Sequence, residues 1–128
     1  FVEENTHEEE RTANFDRSKA LDVTTNLMQA HSKATGIFAE NDEMAIGAIS
    51  ALGSKAGQSA KVVGFDGTAD GIKAVKAGTM GATIAQQPAL LGKTAVDQAA
   101  GILAGKQVSK TTPIKVVLVT KNNAKDYE

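Results

Sequence analysis

The chain has 128 residues, of which 41% are hydrophobic and 23% are charged, and its formal net charge is -1. This length and composition predict one compact domain and exclude a disordered or fibrous chain. The near-neutral charge argues against a nucleic-acid binder, no apolar run is long enough to span a membrane, and the absence of cysteine excludes a disulfide scaffold, a zinc finger and a thiol enzyme.

Along the chain, an acidic segment precedes a regular alternation of helices and strands. Residues 1–11 are rich in glutamate and predict an acidic arm or linker, which leaves residues 12–128 as the folded lobe. Apolar residues at spacings of three and four predict helices over 16–31, 42–52, 69–77 and 88–105, the last opened by a proline. Short apolar runs predict strands over 36–39, 61–65, 80–85 and 116–119. This alternation predicts an α/β fold with a parallel sheet whose strands are covered on both faces.

Polar side chains follow three of the predicted strands. Asn41 comes after the first strand, Asp66 after the second and Gln86 after the third. The carboxyl edge of a parallel sheet is where ligands bind, so these residues are candidates for a binding site. Helix capping is the alternative, and it is favoured for Asp42 and Asp70. Both interpretations stay open for Asp66, whereas Gln86 is a poor capping residue and favours function.

These side chains suit a neutral polyol. A carboxylate accepts hydrogen bonds from adjacent hydroxyls, and each amide both donates and accepts, as a sugar hydroxyl does. An aromatic ring often covers the apolar face of a sugar, and Phe15 lies in a polar turn that could present one. The alternative for Phe15 is a core anchor of the following helix.

Signatures of enzymes, metal sites and cofactor sites are absent from the sequence. Gly92-Lys93-Thr94 lacks the upstream glycine of a phosphate-binding loop and lies within a predicted helix. No nucleophile-elbow motif occurs, and neither His7 nor His31 has a partner at metal-ligand spacing. We therefore expect a protein that is not an enzyme and that holds neither a metal nor a cofactor.

Three blocks of sequence carry a resemblance to a known family. FAENDEMAIGAISAL, KVVGFDGTADGIKAVKAGTMGATIAQQP and TANFDR resemble the ribose-binding family of type I periplasmic sugar-binding proteins of ABC transport. The resemblance covers residues 12 to about 121. It implies a three-layer Rossmann-like lobe that binds a pentose, above all D-ribose, as the substrate-binding component of an ABC importer. It also implies an extracytoplasmic location, in the periplasm or as a surface lipoprotein of a Gram-positive bacterium, and an ABC permease as partner.

The resemblance assigns roles to four residues. It implies that Phe15 stacks on the sugar and that Asn41, Asp66 and Gln86 bind its hydroxyl groups. The NDEMA and VVGFDG blocks are shared with the effector domains of lactose-repressor-type regulators, which are the alternative. The run from GFDG to IAQQP is more like the transport proteins.

The family is two-lobed and longer than this chain. The resemblance therefore implies a carboxyl-terminal lobe, in which the helix at 88–105 packs on the other lobe in intact members. We expect the chain alone to dimerise or to require a complementing lobe. The family also has a strand before the TANFDR turn, where this chain reads THEEER.

Overall fold

The computed structural model describes residues 9–127; most of the predicted acidic arm, residues 1–8, lies outside the described residues. The predicted helices and strands are present, with small shifts at their ends. In chain order they are α1 (Arg17–Ala30), β1 (Gly36–Phe38), α2 (Asp42–Leu52), β2 (Lys61–Asp66), α3 (Ala69–Ala77), β3 (Ala82–Ala85), α4 (Pro88–Leu103) and β4 (Val117–Thr120). The polar tail forms a short 3-10 turn over Ala124–Tyr127.

The four strands form one sheet in the order β1-β2-β3-β4. The first three are parallel, but β4 runs antiparallel to β3. The α/β fold class is confirmed, and the sheet is mixed rather than wholly parallel. The reason lies in α4, which has no buried residue and so does not pack along the sheet as a crossover helix must. After α4, the chain re-enters the sheet at the carboxyl end of β3, where Val117 pairs with Ala85.

Three helix starts are fixed by side-chain caps. The carboxylate of Asp16 accepts from the Lys19 amide at 2.7 Å, Asn41 caps α2, and Thr68 caps α3. Each cap satisfies a backbone amide that the first turn of a helix leaves unpaired.

The core lies between the sheet and one layer formed by α2 and α3. Its buried members include Ala45, Leu52, Val62, Ile72, Val75, Met80 and Val119. Helix α1 packs on α2, and the two backbones approach closely at Gly47, where a Cβ would lie 2.2 Å from the Arg17 carbonyl oxygen.

The opposite face of the sheet is apolar and largely uncovered. The strand register aligns Phe38 with Val63, and Phe65 with Ile84 and Leu118, on this face. Phe38 and Leu118 are exposed. The second helical layer of the predicted three-layer fold is therefore not supplied by residues 9–127.

The segment after β3 differs from the rest of the lobe. Leucine and other apolar side chains on α4 are exposed, and Gly105 ends the segment with a φ of 73°. Among the described helices, α4 included, none combines the length and the apolar character that a bilayer crossing requires. The assignment of residues 88–105 to another lobe stays a prediction.

Candidate functional site

Three of the sequence-predicted site residues lie at one edge of the sheet. Asp66 is the last residue of β2, Gln86 directly follows β3, and Asn41 follows β1 after two intervening residues. Because β1, β2 and β3 are parallel neighbours, their carboxyl ends meet at the same edge. The topology thus brings the three strand-end loops together.

Asp66 and Gln86 contact each other directly. The side-chain Nε2 of Gln86 donates to Asp66 Oδ1 at 2.7 Å, and the Gln86 backbone amide donates to the Asp66 carbonyl oxygen at 3.0 Å. The sequence placed these residues at neighbouring strand ends, and the structure joins them in one polar unit. One carboxylate oxygen is held by the amide, and Asp66 is only partly buried, so the group has capacity for further hydrogen bonds.

The backbone of Asp66 is strained. Its φ is 116°, which L-residues rarely adopt, and Gly67 follows with a φ of 73°. Such a conformation costs on the order of 1–3 kcal/mol and persists only where the surrounding contacts over-determine it. Strain of this kind clusters at binding sites, so the turn of β2 into α3 is a candidate site on backbone geometry alone.

Phe15 has the same feature. Asn14 and Phe15 have φ values of 52° and 57°, and the Phe15 residue is 66% exposed. The alternative that Phe15 anchors the core is wrong, because its ring lies largely in solvent. Phe15 lines a pocket of about 210 Å³ together with Glu40 and Met44. Glu40 precedes Asn41 in the chain, and the Met44 amide donates to the Asn41 side chain. The structure therefore brings Phe15 to the loop that follows β1.

Asn41 has a structural role that the sequence assigned to its neighbour. Its Oδ1 accepts from the Met44 amide at 2.9 Å and caps α2. The favoured capping role for Asp42 is wrong. Asp42 lies inside the first turn of α2, and its buried carboxylate accepts from Thr68 and Thr83 instead. Capping fixes the orientation of the Asn41 amide group, whose nitrogen is its donor end.

Sequence reasoning missed the burial of Asp42 and the contacts of its carboxylate. Its Oδ2 accepts from the Thr68 amide at 2.7 Å, and its Oδ1 accepts from the Thr83 hydroxyl at 2.7 Å. A Cβ on Gly64 or Gly71 would lie 2.4 or 2.1 Å from this carboxylate. Gly64 and Gly71, which lie on either side of Asp66 in the chain, were a signal that another group packs closely against the backbone there.

Arg17 joins the starts of three helices. It makes a bidentate ion pair with Glu43, at 2.9 and 2.8 Å, and contacts Asp70 at 3.1 Å. The hydrogen bonds from Glu43 and then Asp70 raise the pKa of Arg17 further above its usual value. Capping was also favoured for Asp70, but Thr68 caps α3 and Asp70 pairs with Arg17 instead.

The assembled groups suit hydrogen bonding rather than metal chemistry. Over residues 9–127, no three histidine or acidic side chains cluster in a way that could hold a metal ion. A carboxylate, two amides and an exposed aromatic ring can together recognise a ring that carries several hydroxyl groups.

Comparison with known proteins assigns the family. Residues 2–107 match the model of the periplasmic binding protein domain. The chain belongs to the periplasmic binding protein family. The resemblance inferred from the sequence blocks is thereby confirmed.

One curated relative is the ribose import binding protein of Haemophilus influenzae. It is 48% identical over 109 residues, which are 85% of this chain but 37% of the relative. The chain thus spans little more than a third of the length of that relative.

Two solved structures share the fold. An ABC transporter solute-binding protein from Actinobacillus succinogenes with bound D-allose matches with a TM-score of 0.86 and 36% identity, over 91% of this chain and 42% of that one. The myo-inositol binding protein of Caulobacter matches with a TM-score of 0.80 and 34% identity, over 90% and 40% of the two chains.

Proposed function

We propose that this chain is the carboxyl-terminal lobe of a sugar-binding protein that serves an ABC importer. The Asp66–Gln86 pair carries the proposal, because it presents a carboxylate and an amide together at the ligand-binding edge of the sheet. The protein binds its sugar without transforming it, holds no cofactor, and acts outside the cytoplasm.

The proposed ligand is a pentose, with D-ribose first. Relatives of this chain are named for ribose, allose and myo-inositol, all of which present several hydroxyl groups on a small ring. The relative named for ribose is 48% identical over 85% of this chain, whereas the D-allose-binding periplasmic protein of Escherichia coli is 46% identical over 64% of it. This difference favours ribose.

Each proposed site residue has a separate part in recognition. The Asp66 carboxylate accepts from hydroxyl groups, Gln86 donates to and accepts from them, and Asn41 donates through its amide nitrogen. Phe15 covers the apolar face of the ring. A misplaced hydroxyl leaves one of these groups unpaired, which costs about 1–3 kcal/mol.

The bound sugar would be enclosed by a second lobe. Binding would then couple to hinge closure, and the permease would recognise the closed form. Helix α4 fits this proposal, because its apolar side chains are exposed in the lobe described here.

A two-lobed chimera tests the proposal. Residues 12–121 would replace the matching segment of the H. influenzae ribose import binding protein, and calorimetry would measure ribose, allose and myo-inositol binding. Asp66→Ala should weaken ribose binding by roughly 100-fold or more, because it removes charge-assisted hydrogen bonds from an enclosed site. Circular dichroism would verify that the fold is retained.

Asp22→Ala is the matched control, since Asp22 is an exposed carboxylate on α1. It should leave the affinity unchanged. A loss of less than ~tenfold in the Asp66→Ala chimera, with the fold retained, contradicts the role given to Asp66. Tighter binding of allose or inositol than of ribose would leave the site assignment intact but contradict ribose as the ligand.

The isolated 128-residue chain should bind ribose very weakly or not at all. One lobe leaves half of the sugar in water, so its hydrogen bonds lack the low-dielectric surroundings that strengthen them in an enclosed site. Calorimetry on the isolated chain checks this expectation, and micromolar affinity would show that the site is complete without a second lobe.

A further inference from the structure

The Asp42 carboxylate is buried between the start of α2, the turn after β2 and strand β3. Among residues 9–127, Asp42 is the one charged residue that has 0% exposure. It accepts three hydrogen bonds: from the Thr68 amide at 2.7 Å, the Thr68 hydroxyl at 3.0 Å and the Thr83 hydroxyl at 2.7 Å. A buried carboxylate is a costly way to fill a core, so its presence calls for a reason other than packing.

The hydrogen bonds of Asp42 lead to the strained turn at Asp66. The Thr83 hydroxyl that donates to Asp42 also accepts from the Gly67 amide at 3.3 Å. Thr68 is held directly. The two residues that follow Asp66 are thus both fixed by this one carboxylate, which lies next to Asn41 in the chain. Asp66 itself has no hydrogen bond to Asp42 and is controlled through its backbone neighbours.

Two glycines make this arrangement sterically possible. A Cβ on Gly64 would lie 2.4 Å from Asp42 Oδ1, and a Cβ on Gly71 would lie 2.1 Å from Asp42 Oδ2. Gly64 precedes the Asp66 turn and Gly71 follows it. The sequence therefore leaves space for the carboxylate on both sides of the turn that it holds.

We propose that Asp42 is the positioning residue of the sugar site. By holding Gly67 through Thr83 and holding Thr68 directly, it keeps Asp66 at a φ of 116°, in reach of the Gln86 amide. This role in sugar recognition rests on the proposed function, whereas the coupling between Asp42 and Asp66 exists without any sugar.

The sugar-free chain provides the first test, by nuclear magnetic resonance on all 128 residues. In Asp42→Asn, exchange of the Gly67 and Thr68 amides, relative to that of the Val119 amide, should accelerate by roughly tenfold or more. The Thr68 amide loses its charged acceptor, and the Thr83 hydroxyl that accepts from the Gly67 amide is no longer oriented by a carboxylate. The side-chain amide signals of Gln86 should move towards those of a free glutamine.

Variants of Thr83 keep the test decisive if Asp42→Asn does not fold. Thr83→Val removes the bridging hydroxyl and should move the same Gln86 signals. Thr83→Ser restores the hydroxyl and should return them. Val75→Ala is the control for a purely structural effect, since Val75 is buried in α3 and should destabilise the fold without moving those signals. Gln86 signals unchanged in both Asp42→Asn and Thr83→Val would overturn the proposal.

The two-lobed chimera separates this proposal from the proposed function. Asp42→Asn should weaken ribose binding by roughly tenfold in a chimera with Asp66, and by much less in one that already carries Asp66→Ala, because residues that act through one another are not additive. Equal losses in both backgrounds would overturn the positioning role. A chimera that binds no ribose before any substitution contradicts the proposed ribose binding instead. The Gln86 signals then still test whether Asp42 positions Asp66.

Discussion

Helices α2 and α4 have similar apolar content but opposite surroundings. Both begin after a parallel strand, at the same edge of the sheet. Helix α2 buries Ala45, Ala48 and Leu52, whereas α4 buries no residue. Helix α2 also has a side-chain cap, while Gln87 at the start of α4 provides none. Apolar periodicity thus makes a helix in both segments, but a neighbouring surface makes only one of them part of the core.

The same leucine truncation in the two helices should have very different effects. Leu52→Ala in α2 removes a buried side chain and leaves a cavity, so we expect a loss of about 2–4 kcal/mol in the free energy of unfolding. Leu103 at the end of α4 is 89% exposed, and Leu103→Ala should change stability by no more than ~0.5 kcal/mol. Urea denaturation measures both. Equal losses would mean that α4 is packed in solution.

The same glycine substitution should have opposite signs in the two helices. A Cβ on Gly47 of α2 would lie 2.2 Å from the Arg17 carbonyl oxygen, a backbone atom that cannot rotate away, so Gly47→Ala should destabilise by about 1–3 kcal/mol. A Cβ on Gly92 of α4 meets nothing within 4 Å. Gly92→Ala should therefore stabilise, by about 0.5–1 kcal/mol at most, through the higher helix propensity of alanine.

Thermal unfolding of both alanine variants gives the comparison. A stable Gly47→Ala variant would show that α1 and α2 leave room for a methyl group at Gly47. A destabilised Gly92→Ala variant would show that α4 has a close neighbour.

The exposed face of α4 should drive weak self-association of the isolated chain. Leu91 and Ile102 are about three turns apart and lie on one side of the helix. Exposed apolar patches of this kind mark association surfaces. Sedimentation should show dimers whose fraction rises with concentration, and Leu91→Lys should lower the association constant by roughly tenfold.

Ala100→Lys is the matched control for that experiment. It adds the same charge to an exposed position on the opposite side of α4. It should leave the association constant nearly unchanged. A wild-type chain that stays monomeric at all concentrations would contradict the association surface.

Much of the candidate site could be predicted from the sequence. Placement of Asn41, Asp66 and Gln86 at strand ends follows from short apolar runs that each end in a polar residue, a pattern that depends only on local sequence. The direct bond between Asp66 and Gln86 could not be predicted, since it depends on the register of β2 against β3. The exposure of Phe15 and its positive φ could not be predicted either, because neither follows from the residue type alone.

The roles of Asn41 and Asp42 show where local reasoning fails. Both residue types are good caps, and both stand at the start of α2, so the sequence could not decide which one caps the helix. Tertiary contacts decide it, because Thr68 and Thr83 come from elements far along the chain and both donate hydrogen bonds to Asp42. Propensity ranks the candidates for a local role; it carries no information about distant donors.

By itself, the sequence determined the helices, the strands, the α/β class and the polar residues at the carboxyl edge of the sheet, because hydrophobic periodicity and capping act over a few neighbouring residues. Only the tertiary structure decided the antiparallel direction of β4, the burial of Asp42, the strained turn at Asp66 and the exposure of α4. These features depend on which surfaces meet across the fold, and that is set by contacts between residues far apart in the chain.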